Sequence, residues 1–112
     1  MKKIAIPIDE AGILDAHFGH CKYFVLMDVE NDEIVKEEKI VPPPHEPGVL
    51  PKFLSDLGVT DIIAGGMGQQ AIALFNKNGV NASVGAPKLS AKFLAEAYLK
   101  GTIEFSTNYC DH

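Results

Sequence analysis

A strand, a glycine turn, a helix and a second strand follow one another over residues 60–84, and that order constrains the fold most. Thr60 to Ala64 is a short apolar run suited to a buried strand. Gly65-Gly66-Met67-Gly68 turns it into a helix carrying Ala71, Ile72, Leu74 and Phe75, which Asn78-Gly79 ends. Val80 to Val84 is the next strand. A strand–helix–strand crossover requires parallel pairing with a right-handed connection, so the chain belongs to the α/β class.

The earlier half supplies the rest of the sheet. Lys3 to Ile8 is isoleucine-rich and reads as a buried central strand. Lys22 to Val29 alternates, and Glu30-Asn31-Asp32 is turn chemistry. Glu33 to Val41 follows as a more polar strand, giving an antiparallel hairpin. Pro42-Pro43-Pro44-His45-Glu46-Pro47-Gly48 stops it, because proline removes ladder donors. A helix begins near Val49, with Leu50, Phe53, Leu54 and Leu57 at helical spacing and Gly58 as its stop. Ser90 caps a third helix, whose inner face is expected to hold Phe93, Leu94, Ala97 and Tyr98. Gly101 ends it, and residues 102–112 read as a flexible tail.

The pattern is βββαβαβα: a five-stranded mixed sheet flanked by three helices. The first strand is expected in the middle, with the hairpin on one side and the two later strands on the other. No repeat or domain boundary interrupts residues 1–112, a length typical of one domain and sufficient for a core without disulfides.

Tracing that sheet brings three loops to the carboxyl end of the first strand: residues 9–21, 42–48 and 65–68. The first and fourth strands would be parallel neighbours with diverging connections, which leaves a ligand crevice. Every histidine and cysteine of the chain lies in 17–21, at 45 or at 110–112. A sheet of six-residue strands is about 20 Å tall and eleven extended residues reach about 36 Å, so Cys110 and His112 can return to the same edge.

His17, His20, Cys21, His45, Cys110 and His112 are therefore candidate metal ligands. Their spacing matches neither a zinc finger nor a ferredoxin motif, and His17–His20 lacks the glutamate of a helical zinc protease site. Gly65, Gly66, Met67 and Gly68 are candidates for binding the cofactor, since a glycine loop at a helix start offers N–H groups to an anion. The dinucleotide fingerprint is excluded, because no acid lies about twenty residues on to hold a ribose.

The net charge of -5 argues against nucleic acid and anionic membranes as partners. No apolar run approaches a membrane span. The opening lysines and apolar residues are broken early by Pro7 and Asp9, so a cytoplasmic protein without a signal peptide is expected. There, Cys21 and Cys110 are not expected as a permanent disulfide.

These residues resemble the dinitrogenase iron–molybdenum cofactor biosynthesis family, which includes NifX-like carriers and the carboxyl-terminal domain of NifB. The resemblance is carried by Ile4-Ala5-Ile6-Pro7, His17-Phe18-Gly19-His20-Cys21, Asp61-Ile62-Ile63-Ala64-Gly65-Gly66-Met67-Gly68 and Phe75-Asn76-Lys77-Asn78-Gly79-Val80. It implies a ribonuclease-H-like fold without nuclease activity. It also implies a non-catalytic role, binding or carrying an iron–sulfur or iron–molybdenum type cluster in nitrogenase cofactor biosynthesis, with a cluster donor or acceptor protein as partner. His17 matches the family's His-Phe-Gly histidine. His20, Cys21 and Cys110–His112 are not shared by every branch and resemble the small stand-alone members, some of whose relatives bind a molybdenum–copper cluster. Two other readings of the same residues are a zinc-dependent hydrolase and a metal-independent interaction or regulatory module.

Overall fold

A computed structural model describes residues 2–15, 22–42 and 49–103. Its strands are β1 (Lys2–Ile8), β2 (Tyr23–Glu30), β3 (Glu33–Ile40), β4 (Asp61–Ile63) and β5 (Asn81–Ser83). Its helices are α1 (Val49–Asp56), α2 (Gln69–Lys77) and α3 (Ala91–Lys100). The sheet order is β3-β2-β1-β4-β5, with β1 central, as the sequence pattern predicts. β1 pairs antiparallel with β2 and parallel with β4, and β4 pairs parallel with β5.

The alternation of β1 and β2 distributes the core over both faces of the sheet. Ile4, Ile6, Val25, Met27 and Ile63 lie under Leu94 and Ala95 of α3. Ala5, Phe24, Leu26 and Ile62 lie under Leu50 and Leu54 of α1 and Phe75 of α2. Three layers result, and burying side chains this large contributes about 1.5–3 kcal/mol each.

The hairpin turns through Asn31 (φ 53) and Asp32 (φ 62), a pair of left-handed residues that suits a two-residue connection. β3 is an edge strand. Asp28 opposes Lys36 while Val29 opposes Ile34, which leaves Val35 as a bulge. That bulge and the exposed Lys36-Glu37-Glu38-Lys39 discourage a further strand from pairing there.

At the amino-terminal end of β4 the buried Asp61 (3% exposed) accepts hydrogen bonds from Tyr98 Oη (2.8 Å), Thr60 Oγ1 (2.7 Å) and Asn81 Nδ2 (3.4 Å). A buried carboxylate needs such donors. These three tie α3, β4 and β5 together at the end of the sheet opposite the glycine turn.

Two expectations need correction. Phe93 is not on the inner face of α3: it is 56% exposed, and Ala91, Leu94, Ala95 and Ala97 form the buried stripe instead. Leu94 is fully buried, and Phe93 lies about 100° from it around the helix. Residues 9–15 are also more than an irregular loop. Asp9 Oδ1 accepts from the amides of Ala11 (2.8 Å) and Ile13 (3.1 Å) and folds the chain back on itself.

Candidate functional site

The return after β1 shapes the upper edge of the sheet. The Asp9 amide donates to the Ile13 carbonyl and the Asp15 amide to the Pro7 carbonyl, both at 2.9 Å. On its other side the segment donates from Leu14 N–H to the Leu89 carbonyl (2.9 Å) and accepts from Ala91 N–H at the Gly12 carbonyl (3.0 Å). Gly12 to Asp15 is thus a short strand-like piece between the end of β1 and the start of α3. It also explains Pro7 in a central strand, where a missing amide would normally break the ladder. The named β1–β4 pairs are Ile4 with Asp61 and Ala5 with Ile62, and beyond them Pro7 contributes only its carbonyl.

The connections from β1 and β4 diverge. Leu14 joins the core beneath α3, whereas Met67 and Phe75, beyond β4, join the core on the opposite face. This is the switch point expected from the strand order, and it lies at the carboxyl ends of two parallel strands. The parallel pairing of β4 and β5 continues above both strands: Gly85 N–H donates to the Gly65 carbonyl (2.8 Å) and Ala86 N–H to the Ala64 carbonyl (3.2 Å). Gly65 and Gly66 are buried.

Gly68 is the N-cap of α2 and differs in kind. Its backbone is extended (φ -66, ψ 153), a conformation open to any residue. A Cβ built on it meets nothing within 4 Å. Gly68 has no side chain with which to cap the helix, and the first turn of α2 holds no acidic residue. The starting amides of α2 therefore have no cap from the N-cap side chain, and neither backbone strain nor a Cβ contact among the described residues requires glycine at 68. The Met67 side chain is buried in the α1–α2 face of the core.

Of the candidate residues, Gly65, Gly66, Met67 and Gly68 are described. His17, His20, Cys21, His45, Cys110 and His112 lie outside the described residues. The described anchors of residues 16–21 and 43–48 stand at the upper edge. Asp15 is held to Pro7, Tyr23 pairs with Ile8, and Ile40 pairs with Phe24, itself opposite Pro7. An exposed ion pair, Lys22 Nζ to Glu10 Oε1 at 2.6 Å, joins the β1 turn to the start of β2. The Lys22 hydrogen bond and charge hold the Glu10 carboxyl below its ordinary range, and Glu10 raises Lys22 in turn.

Among the described residues no three His, Cys, Asp or Glu side chains converge on one point. Asp9 uses a carboxylate oxygen to hold its own turn. Among the described residues no helix is long and apolar enough to cross a membrane. The Gly12–Asp15 return was missed by sequence reasoning. Its only local signal is Asp9 followed by Gly12, with apolar Ile13-Leu14 after the turn.

Comparison with known proteins fits this geometry. The family model described as dinitrogenase iron-molybdenum cofactor matches residues 1–101. An uncharacterised protein of Methanocaldococcus jannaschii is 31% identical over 87 residues, covering 72% of each chain. The crystal structure of PH0822 superimposes with a TM-score of 0.85 at 29% identity, covering 96% of this chain and 99% of that one. The apo form of the orange protein from Desulfovibrio gigas superimposes with a TM-score of 0.79 at 19% identity, covering 96% and 95%, and shows the shared fold.

Proposed function

The chain belongs to the dinitrogenase iron-molybdenum cofactor family, and on that premise we propose that it binds or carries an iron–sulfur or molybdenum-containing cluster without catalysing a reaction. The observation that supports this reading is the start of α2 at Gly68, where the N-cap has no capping side chain and a Cβ would meet nothing within 4 Å among the described residues. Metal–sulfur clusters are anionic, and a helix start with free amides attracts negative charge. The cluster is cargo. A carrier has to release it, so an open edge with few protein ligands suits the task better than a closed four-ligand site.

In this proposal His17 is the principal ligand, and the few further ligands are drawn from His20, Cys21 and His45 near it and from Cys110 and His112 of the tail. The glycine turn holds the cluster's anionic face. The partners are a cluster donor and a cluster acceptor, met in the cytoplasm.

Anaerobic reconstitution with iron, sulfide and molybdate, followed by absorption spectroscopy and elemental analysis, tests it. Visible absorption and stoichiometric metal are expected, and both should fall sharply in His17→Ala. Protein that emerges colourless and metal-free sinks the proposal. A His17→Ala variant with unchanged affinity removes that residue from it.

A further inference from the structure

Positive charge is unevenly placed along this acidic chain. Residues 62–103 hold Lys77, Lys88, Lys92 and Lys100 against a single acid, Glu96, although the whole chain stands at -5. Three of these lysines belong to α3 and the residues just before it, and all three are exposed. At 3.6 residues per turn, Lys92, Phe93, Glu96 and Lys100 fall within an arc of about 100°. Phe93 is 56% exposed, and Leu89, just before the helix, is 41% exposed. Elsewhere Lys2 and Lys39 lie over tyrosine rings, and Lys3 and Lys22 pair with Asp28 and Glu10. Lys88, Lys92 and Lys100 make no ion pair among the described residues.

We propose that this face docks an acidic protein partner, which sets carboxylates against Lys88 and Lys92 and an apolar side chain against Leu89 and Phe93. Exposed apolar side chains flanked by cations match the apolar centre and polar rim of a protein interface, and the charges select a partner of opposite sign. The face adjoins the upper edge of the sheet. There the Leu89 carbonyl accepts the Leu14 amide (2.9 Å) and the Gly12 carbonyl accepts the Ala91 amide (3.0 Å). A partner seated on it stands beside the return that leads toward residues 16–21. That this partner is the cluster donor or acceptor rests on the cluster-binding proposal, whereas the docking of an acidic partner does not.

Other occupants fit less well. A two-fold pair of copies joined through this face would set lysines against the same lysines, because such an interface uses one patch twice. A nucleic acid or an anionic membrane extends well beyond a patch of three lysines and meets the acidic remainder of the chain. The carboxylates of a protein surface can be confined to the area the lysines cover, so attraction there is not cancelled at the margins.

The test uses the full chain, with photoreactive benzoylphenylalanine in place of Phe93, illuminated in cells of its own host. Mass spectrometry should find an adduct to another protein, linked through a segment that carries carboxylates beside an apolar side chain. The same probe in place of Val35, exposed on β3, should not give that adduct. The captured protein is then purified and its affinity for the metal-free chain measured. Lys88→Glu/Lys92→Glu should weaken binding at least about tenfold, and lysines in place of the contacted carboxylates should restore it. This rescue separates lost complementarity from a lost fold. An adduct confined to lipid, nucleic acid, a second copy or the chain's own residues overturns the proposal, as does no adduct at all. So does a captured protein whose affinity ignores the charge reversal. If the partner binds with the expected charge dependence and reconstitution loads no cluster, the docking stands and the carrier reading falls.

Discussion

The starts of α2 and α3 stand near the same edge of the sheet and meet the same physical demand in opposite ways. Each helix begins with amides that lack an intrahelical acceptor. At α3, Ser90 Oγ accepts the Phe93 amide at 3.3 Å, so the helix caps itself. At α2 the N-cap is Gly68, which has no side chain to do so. Serine in place of glycine would stabilise such a helix by a few tenths of a kcal/mol. Gly68 meets no steric barrier to that replacement among the described residues. The contrast separates a helix start capped by its own serine from one whose N-cap residue has no side chain to cap it.

The largest test places a charge at the open end. Gly68→Asp should cap α2 and raise stability by about 0.5–1 kcal/mol. It should also weaken binding of an anionic cluster by more than about tenfold, a loss of about 1.4 kcal/mol. Thermal denaturation and titration of the reconstituted protein measure the two effects, and a parallel rise in both would undo the comparison.

Next in size is the mirror experiment. Ser90→Ala should cost about 1 kcal/mol of stability in denaturant unfolding while leaving cluster affinity unchanged. An equal loss of affinity would mean that the two helix starts do not differ as described.

Gly68→Ser is gentler. It should gain a few tenths of a kcal/mol in stability and reduce affinity less than aspartate does.

The smallest test concerns the opposite end of the sheet, where α3 meets Asp61. Burial, and then the Asp61 carboxylate to which it donates, push the Tyr98 phenol above its ordinary value of 10.0, against a smaller opposing effect of a Ser83 hydrogen bond. The folded state therefore holds this proton more tightly than the unfolded chain. The resulting stabilisation is complete below about pH 10 and is lost as pH rises through the folded value. The stability difference between the parent chain and Tyr98→Phe should shrink above pH 10, while cluster binding at neutral pH stays the same. A difference constant across that range would refute the assignment.

Local patterns made most of the scaffold legible. The alternation of Tyr23 to Val29, the isoleucines of β1, the helical spacing of Leu50 and Leu54, and the glycines at 58, 79 and 101 set the order and type of every element. The crossover rule then placed β1 in the middle. Gly101 does have the left-handed backbone (φ 73) that a helix stop requires, and Ser90 does cap. These features depend on neighbours a few residues apart, which is the range over which a sequence pattern carries physical information.

Tertiary packing decided the rest. Leu14 reaches Leu89 and Asp61 reaches Tyr98 across long stretches of chain, and no local period encodes either pair. Phe93 turned outward because the sheet beneath α3 was already filled by Leu94, Ala91 and Ala95. The glycine turn could be read from sequence as a helix start. That Gly65 is held to the β5 connection while a Cβ at Gly68 would meet nothing within 4 Å among the described residues followed only once β4, β5 and α2 were packed together. Spacing along the chain encodes which residues share a face, whereas the space in front of a face depends on every element around it.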